Sequence, residues 1–98
     1  MKVVFSAAAK ADLIEIGDFI ALDSRRRART FVDELVACCR QLATMPRGFP
    51  LVPGQNFTGV RRRPYRDHVI FYRIEGDAVQ VLHELHGARD NDWTLLPE

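Results

Sequence analysis

The stretch Val60–Asp90, VRRRPYRDHVIFYRIEGDAVQVLHELHGARD, decides the fold. Its two apolar runs, HVIFYRI (His68–Ile74) and AVQVLHEL (Ala78–Leu85), are rich in β-branched and aromatic residues, which suit a pleated, half-buried surface. Between them, Glu75-Gly76-Asp77 predicts a short hairpin turn, because Gly76 adopts positive φ at little steric cost. A period of two sets Ile70, Tyr72 and Ile74 on one face of the first run and Val69 and Phe71 on the other. Both faces are apolar. The strand is either central with a layer packed on each side, or its open face is a binding surface.

Working back toward the N-terminus, Arg47–Thr58 (RGFPLVPGQNFT) is a loop punctuated by Gly48, Pro50, Pro53 and Gly54. It leads into a predicted strand over Thr58–Arg63, with Pro64 as the break before the hairpin. Upstream of the loop the period becomes helical. From Ala7 to about Leu22, Leu13, Ile16, Phe19 and Ile20 form an apolar stripe, and Ser6 is placed to cap the helix. Asp23-Ser24 interrupts the pattern and offers a second cap. A second helix is predicted from about Arg25 to Met45, carried by Ala28, Phe31, Leu35, Cys38 and Leu42 and ended by Pro46. Two amphipathic helices so briefly connected form an antiparallel hairpin. Lys2–Phe5 (KVVF) is short and β-prone and extends the sheet. The order β-α-α-β-β-β describes an α+β fold, a helical hairpin packed on a mainly antiparallel four-stranded sheet.

Length and composition bound the function. Ninety-eight residues make a single domain, 1–98, with 47% hydrophobic and 28% charged residues, an ordinary soluble composition. A net charge of +1 argues against a general polyanion binder. No apolar run reaches the roughly 20 residues of a membrane helix. The N-terminus breaks into Lys10 and Asp12 too early for a signal peptide, and a cytoplasmic location is expected. Cys38 and Cys39 are adjacent and are read as reduced, since pairing them needs a strained bond. No Cys/His/Asp spacing resembles a metal site, and no cofactor is expected.

The element order and a set of residues resemble the RelE/ParE toxin superfamily of type II toxin–antitoxin systems, most closely its ParE-like branch. The residues are Ser6, Ala9, Asp12, Leu13 and Ile16, then Phe31, Leu35, Leu42, Pro46 and Pro53, then Val60-Arg61, the Ile70–Ile74 run, and Val81, Leu82, His83, His86, Gly87, Arg89 and Asp90. The resemblance implies a small toxin held inactive by a cognate antitoxin, a ParD-like ribbon-helix-helix protein whose C-terminal segment wraps around it. Operator DNA would then be reached only through the antitoxin. ParE-like members are associated with poisoning DNA gyrase; RelE-like members cut messenger RNA in the ribosome.

Cleavage of the RelE kind needs a base near the ribose 2′-OH, an acid for the leaving oxygen and cations for the phosphorane-like charge. The tail after Asp90, NDWTLLPE, has Trp93 but no tyrosine, lysine, arginine or histidine, which weighs against an RNase. The expectation is therefore a toxin that binds and inhibits its target, with no catalytic residues. The alternative is a ribosome-dependent mRNA endonuclease using Arg61, Arg63, His86 and Glu84, since alternation puts Glu84 and His86 on one side of their strand. The ordinary account of His86 is that it caps the strand end.

The residues expected to contact a target or an antitoxin are Arg61, Arg63, Arg66, Tyr72, His86, Arg89 and Trp93. The guanidinium fork of arginine suits carboxylates, and the arginines flank the apolar strand face expected to be open. Arg25, Arg26, Arg27 and Arg29 stand where positive charge opposes the helix dipole, and pairing across the hairpin with Asp12, Glu15, Asp18 and Asp23 is the expected compensation.

Overall fold

The structure is a computed structural model that describes residues 1–54 and 58–87. The elements run β1 (Lys2–Phe5), α1 (Ala7–Ala21), α2 (Arg25–Gln41), β2 (Arg61–Tyr65), β3 (His68–Glu75) and β4 (Ala78–His86). One sheet holds all four strands in the order β1-β4-β3-β2. β1 lies parallel to β4, and the other two pairings are antiparallel.

Both predicted caps form. Ser6 Oγ accepts the Ala9 N–H at 2.9 Å and donates to the Leu82 carbonyl at 2.9 Å, so one hydroxyl starts α1 and ties it to β4. Ser24 Oγ accepts the Arg27 N–H at 3.1 Å and starts α2. Gly17 lets the helices approach closely: a Cβ there would sit 3.3 Å from Val32 Cγ2. The β3–β4 turn places Gly76 at φ 61° as the first of two turn residues, the position at which a type II′ hairpin requires positive φ.

Two expected boundaries are corrected. α2 ends at Gln41, before Met45, and its last turn loosens through Leu42, Ala43 and Thr44, whose N–H groups bond three residues back. Pro64 lies inside β2, paired with Val69, and does not break the strand. A proline is tolerated there because β2 is an edge strand and its missing N–H leaves no inner ladder bond unmade.

The core has two parts, one on each face of β3. Between the helices and the sheet lie Ala9, Phe31, Leu35, Cys38, Cys39, Leu42, Ile70, Tyr72, Val79 and Val81. Across the sheet lie Val52, Val60, Val69, Phe71, Leu82 and Leu85. The sheet face away from the helices is therefore not open, which corrects that expectation. Pro50–Val52 folds back along β2, with Val52 N–H bonding the Val60 carbonyl at 2.8 Å and Arg62 N–H bonding that of Pro50 at 3.0 Å. Val52 and Val60 are driven onto Phe71 and Leu82 because each fully buried aliphatic side chain gains about 1.5–3 kcal/mol.

Alternation along β4 is broken once. Tyr72 pairs with Val81 and Phe71 with His83, which leaves Leu82 as an extra residue. Val79 and Val81 face the helices before this bulge. Glu84, opposite Ile70, faces them after it. Cys38 and Cys39 are both buried and free. Among the described residues no helix is long and apolar enough to cross a membrane.

Candidate functional site

The bulge and the helical hairpin together frame an open cleft of about 880 Å³. Its walls are Asp12, Glu15, Ile16, Phe19 and Ile20 from α1, Arg27 and Phe31 from α2, Arg66 and Asp67 from the β2–β3 turn, and His68, Glu84, Leu85 and His86 from β3 and β4. The apolar wall reaches solvent. Phe19, expected within the buried stripe of α1, is 74% exposed.

One rim is an organised charge cluster. Tyr65 donates its hydroxyl to Glu34 Oε1 at 2.7 Å. Arg27 reaches Glu34 Oε2 at 3.3 Å, and Arg66 Nε lies 3.6 Å from Oε1. The Tyr65 hydrogen bond and the two arginines hold the Glu34 carboxyl below the usual range, although it remains open to solvent. Arg66 also adopts φ 52°, an uncommon conformation for a residue with a side chain, which turns its guanidinium back over the Tyr65 ring at 5.5 Å.

The floor is different in character. His83 Nδ1 meets Asp12 Oδ2 at 2.8 Å, and the same oxygen accepts the Glu84 N–H at 3.0 Å. The Glu84 side chain is 1% exposed. Burial, with the Asp12 charge beside it, pushes the Glu84 carboxyl up to about 8. His68 and His86 pack edge to face, ring centroids 5.3 Å apart. Burial and His86 lower the pKa of His68.

The residues expected to form a contact surface are dispersed. Arg66 and His86 border the cleft. Glu84 and His86 line it together, as their shared strand side requires. Arg61 and Arg63 share the helix-facing side of β2, but they brace the loop below α2. Arg61 Nη1 donates to the Phe49 carbonyl at 2.7 Å, and Arg63 lies 5.0 Å over the Phe49 ring with Nη2 3.4 Å from Gln41 Oε1. The open apolar face that they were expected to flank does not exist. Tyr72 is a core residue, fully buried with its hydroxyl on the Pro46 carbonyl at 2.8 Å, and its place in a contact surface is corrected. Arg89, Asp90 and Trp93 lie outside the described residues.

The arginines at the start of α2 also depart from expectation. Arg27 pairs within its own helix, with Glu34, and none of Arg25, Arg26 and Arg29 makes an ion pair across the hairpin among the described residues. Among the described residues no group of three or more His, Cys, Asp or Glu side chains is placed to hold a metal ion.

A sequence model of the family described as ParE toxin of type II toxin–antitoxin system, parDE, matches residues 3–91. The chain belongs to the ParE toxin family. A solved structure described as the chromosomal ParDE TA system from P. aeruginosa superposes with a TM-score of 0.75. It is 22% identical over 88% of this chain and 95% of that one, and at this distance the likeness concerns the fold. No curated protein matches the sequence. The ParE fold accounts for the element order and the mixed sheet; the cleft adds two residues with buried unpartnered polar atoms, Glu84 and His68.

Proposed function

We propose that this ParE-family chain is a toxin that works by binding, with DNA gyrase as its target, and that a cognate ParD-like antitoxin silences it by laying a polypeptide segment in the cleft between α1 and the end of β4. The observation that carries the antitoxin part is an exposed aromatic side chain on α1. Phe19 is 74% exposed and forms one wall of the cleft, where its apolar neighbours are Ile16, Ile20, Phe31 and Leu85. Apolar surface concentrated beside a concave site marks a contact for another polypeptide. Operator DNA enters this scheme through the antitoxin.

Glu84 and His86 are the residues a bond-breaking alternative would use. The Glu84 carboxyl lies at the floor with its oxygens out of reach of solvent, which suits a general base at a ribose poorly. The decisive experiment is induction of the chain alone and with the protein of an adjoining reading frame. Growth arrest relieved by the second protein, with purified toxin blocking gyrase supercoiling and leaving messenger RNA intact, supports this reading. Unimpaired growth removes the toxin function. Messenger cleavage lost in His86→Ala turns the assignment to the endonuclease.

A further inference from the structure

The floor of the cleft holds a carboxyl with nothing to bond. Neither oxygen of Glu84 has a hydrogen-bond partner among the described residues. Its own N–H goes to Asp12, so the charge acting on it most directly is another carboxylate. The titratable and charged groups around it are Asp12 and Glu15 of α1, Arg27 and Cys39 of α2, Arg66 and Asp67 of the turn, His68 of β3, and His83 and His86 of its own strand. Both arginines are already engaged by Glu34. Asp12 has the His83 ring at 2.8 Å, but among the described residues no cation pairs with Glu84 or Glu15.

A buried carboxyl without a partner is destabilising, and more so when charged, so it survives in a fold only where something else offsets it. Packing alone does not call for an acid here, since the neighbouring helix-facing positions of the sheet are Ile70, Val79 and Val81. The position instead marks what is to come in. An apolar group seated over Glu84 leaves both oxygens unsatisfied, and an acidic one is repelled. A guanidinium pressed into the floor, parting the side chains that keep water from both oxygens, presents two parallel N–H donors to them, and its methylene stem finds Ile16, Phe19 and Ile20 along the wall.

We propose that the cleft receives an arginine side chain from the polypeptide that occupies it, with Glu84 as its buried counter-charge. This rests on the reading of the cleft as an antitoxin groove and adds its chemistry: an apolar segment carrying one basic residue. In the free protein the Glu84 proton is retained at neutral pH. Arrival of the guanidinium leaves the carboxylate paired and sends that proton to solvent.

The test uses the isotope-labelled full chain with two probes of matched apolar size, butylguanidinium and 1-pentanol, followed by NMR. Butylguanidinium is expected to move the Ile16 and Phe19 signals and to lower the titration midpoint of the Glu84 carboxyl carbon by about one pH unit or more. Pentanol is expected to move the apolar signals and leave that midpoint in place. In Glu84→Gln the preference for butylguanidinium over pentanol disappears while the pentanol response, which also reports an intact fold, persists. Equal responses to the two probes, or a midpoint unmoved by butylguanidinium in the wild-type chain, overturns the proposal. Neither result touches the toxin reading, which stands or falls on growth arrest and its relief.

Discussion

Asp12 on α1 and His83 on β4, 71 positions apart, meet at 2.8 Å through Oδ2 and Nδ1, and that oxygen also takes the backbone N–H of Glu84. One carboxylate thus fastens the first helix to the strand just past its bulge. Asp12→Ala leaves the Glu84 N–H and the His83 ring nitrogen without a partner in a half-buried place. The expected loss is about 1–3 kcal/mol, read as a lower urea midpoint at unchanged slope. Asp12→Asn retains an acceptor and is expected to lose less. Wild-type midpoints in both variants would mean the contact contributes nothing.

Glu84 makes stability fall with pH over a defined window. Unfolded, a glutamate ionises near 4.5; folded, this one keeps its proton to about 8. Between those values the native state binds more protons than the unfolded chain, so stability declines as pH rises and levels off above about 8. The size is a few kcal/mol. His68 acts in the opposite sense at lower pH. Burial and its neighbour His86 depress its folded pKa below 6.5, so its contribution is present above 6.5 and is lost as acid protonates it. Below 6.5 the two oppose each other, so thermal midpoints from pH 5 to 9 are expected to fall mainly between about pH 6.5 and 8, toward the alkaline end, in the wild-type chain. Glu84→Gln is expected to remain level on that side. Parallel curves for the two chains would show that Glu84 is ionised in the fold and titrates normally.

Much of this architecture is legible in local chemistry. Ser6 and Ser24 sit before their helices, Gly76 sits in its turn, and the double-sided apolar run of β3 allows a layer on each face or an open binding face, of which the structure has the first. What escapes the sequence depends on strand order and on single-residue register. Pro64 reads as a break until β2 is known to be the edge strand. The bulge at Leu82 has no marker such as glycine, yet it decides that Glu84 and His86 look toward the helices. Arg61 and Arg63 read as surface charge because nothing in their spacing announces that the Phe49 loop folds back to meet them. Asp12 appears in the family resemblance, but its role as a bridge between α1 and β4 depends on a contact across 71 positions.

Tyr72 supplies a direct check on the revised site. Its hydroxyl donates to the Pro46 carbonyl from within the core, anchoring the segment that follows α2. Tyr72→Phe removes that bond and keeps the ring. The expected cost is about 1 kcal/mol of stability, with growth arrest and relief by the antitoxin unchanged at equal protein level. If the variant were as stable as the wild type but lost antitoxin binding, Tyr72 would belong to a contact surface after all.

Phe19 and Ile14 form an internal comparison on one helix. Both are large, apolar and mostly exposed, at 74% and 65%, but only Phe19 borders the cleft. Neither contributes much to the core, so Phe19→Ser and Ile14→Ser are each expected to change stability by no more than about 0.5 kcal/mol. Their effects on the antitoxin should part. An aromatic side chain seated at the centre of a contact loses about 2 kcal/mol or more on truncation, which is roughly a thirtyfold weaker complex. Binding of the antitoxin from the adjoining reading frame, measured by calorimetry, is expected to weaken to that extent with Phe19→Ser and to stay within about twofold with Ile14→Ser. The same split should appear in cells, where the Phe19 variant arrests growth despite the antitoxin and the Ile14 variant is silenced. Equal weakening by both would place the contact on the outer side of α1, away from Glu84, and would detach the cleft from the antitoxin.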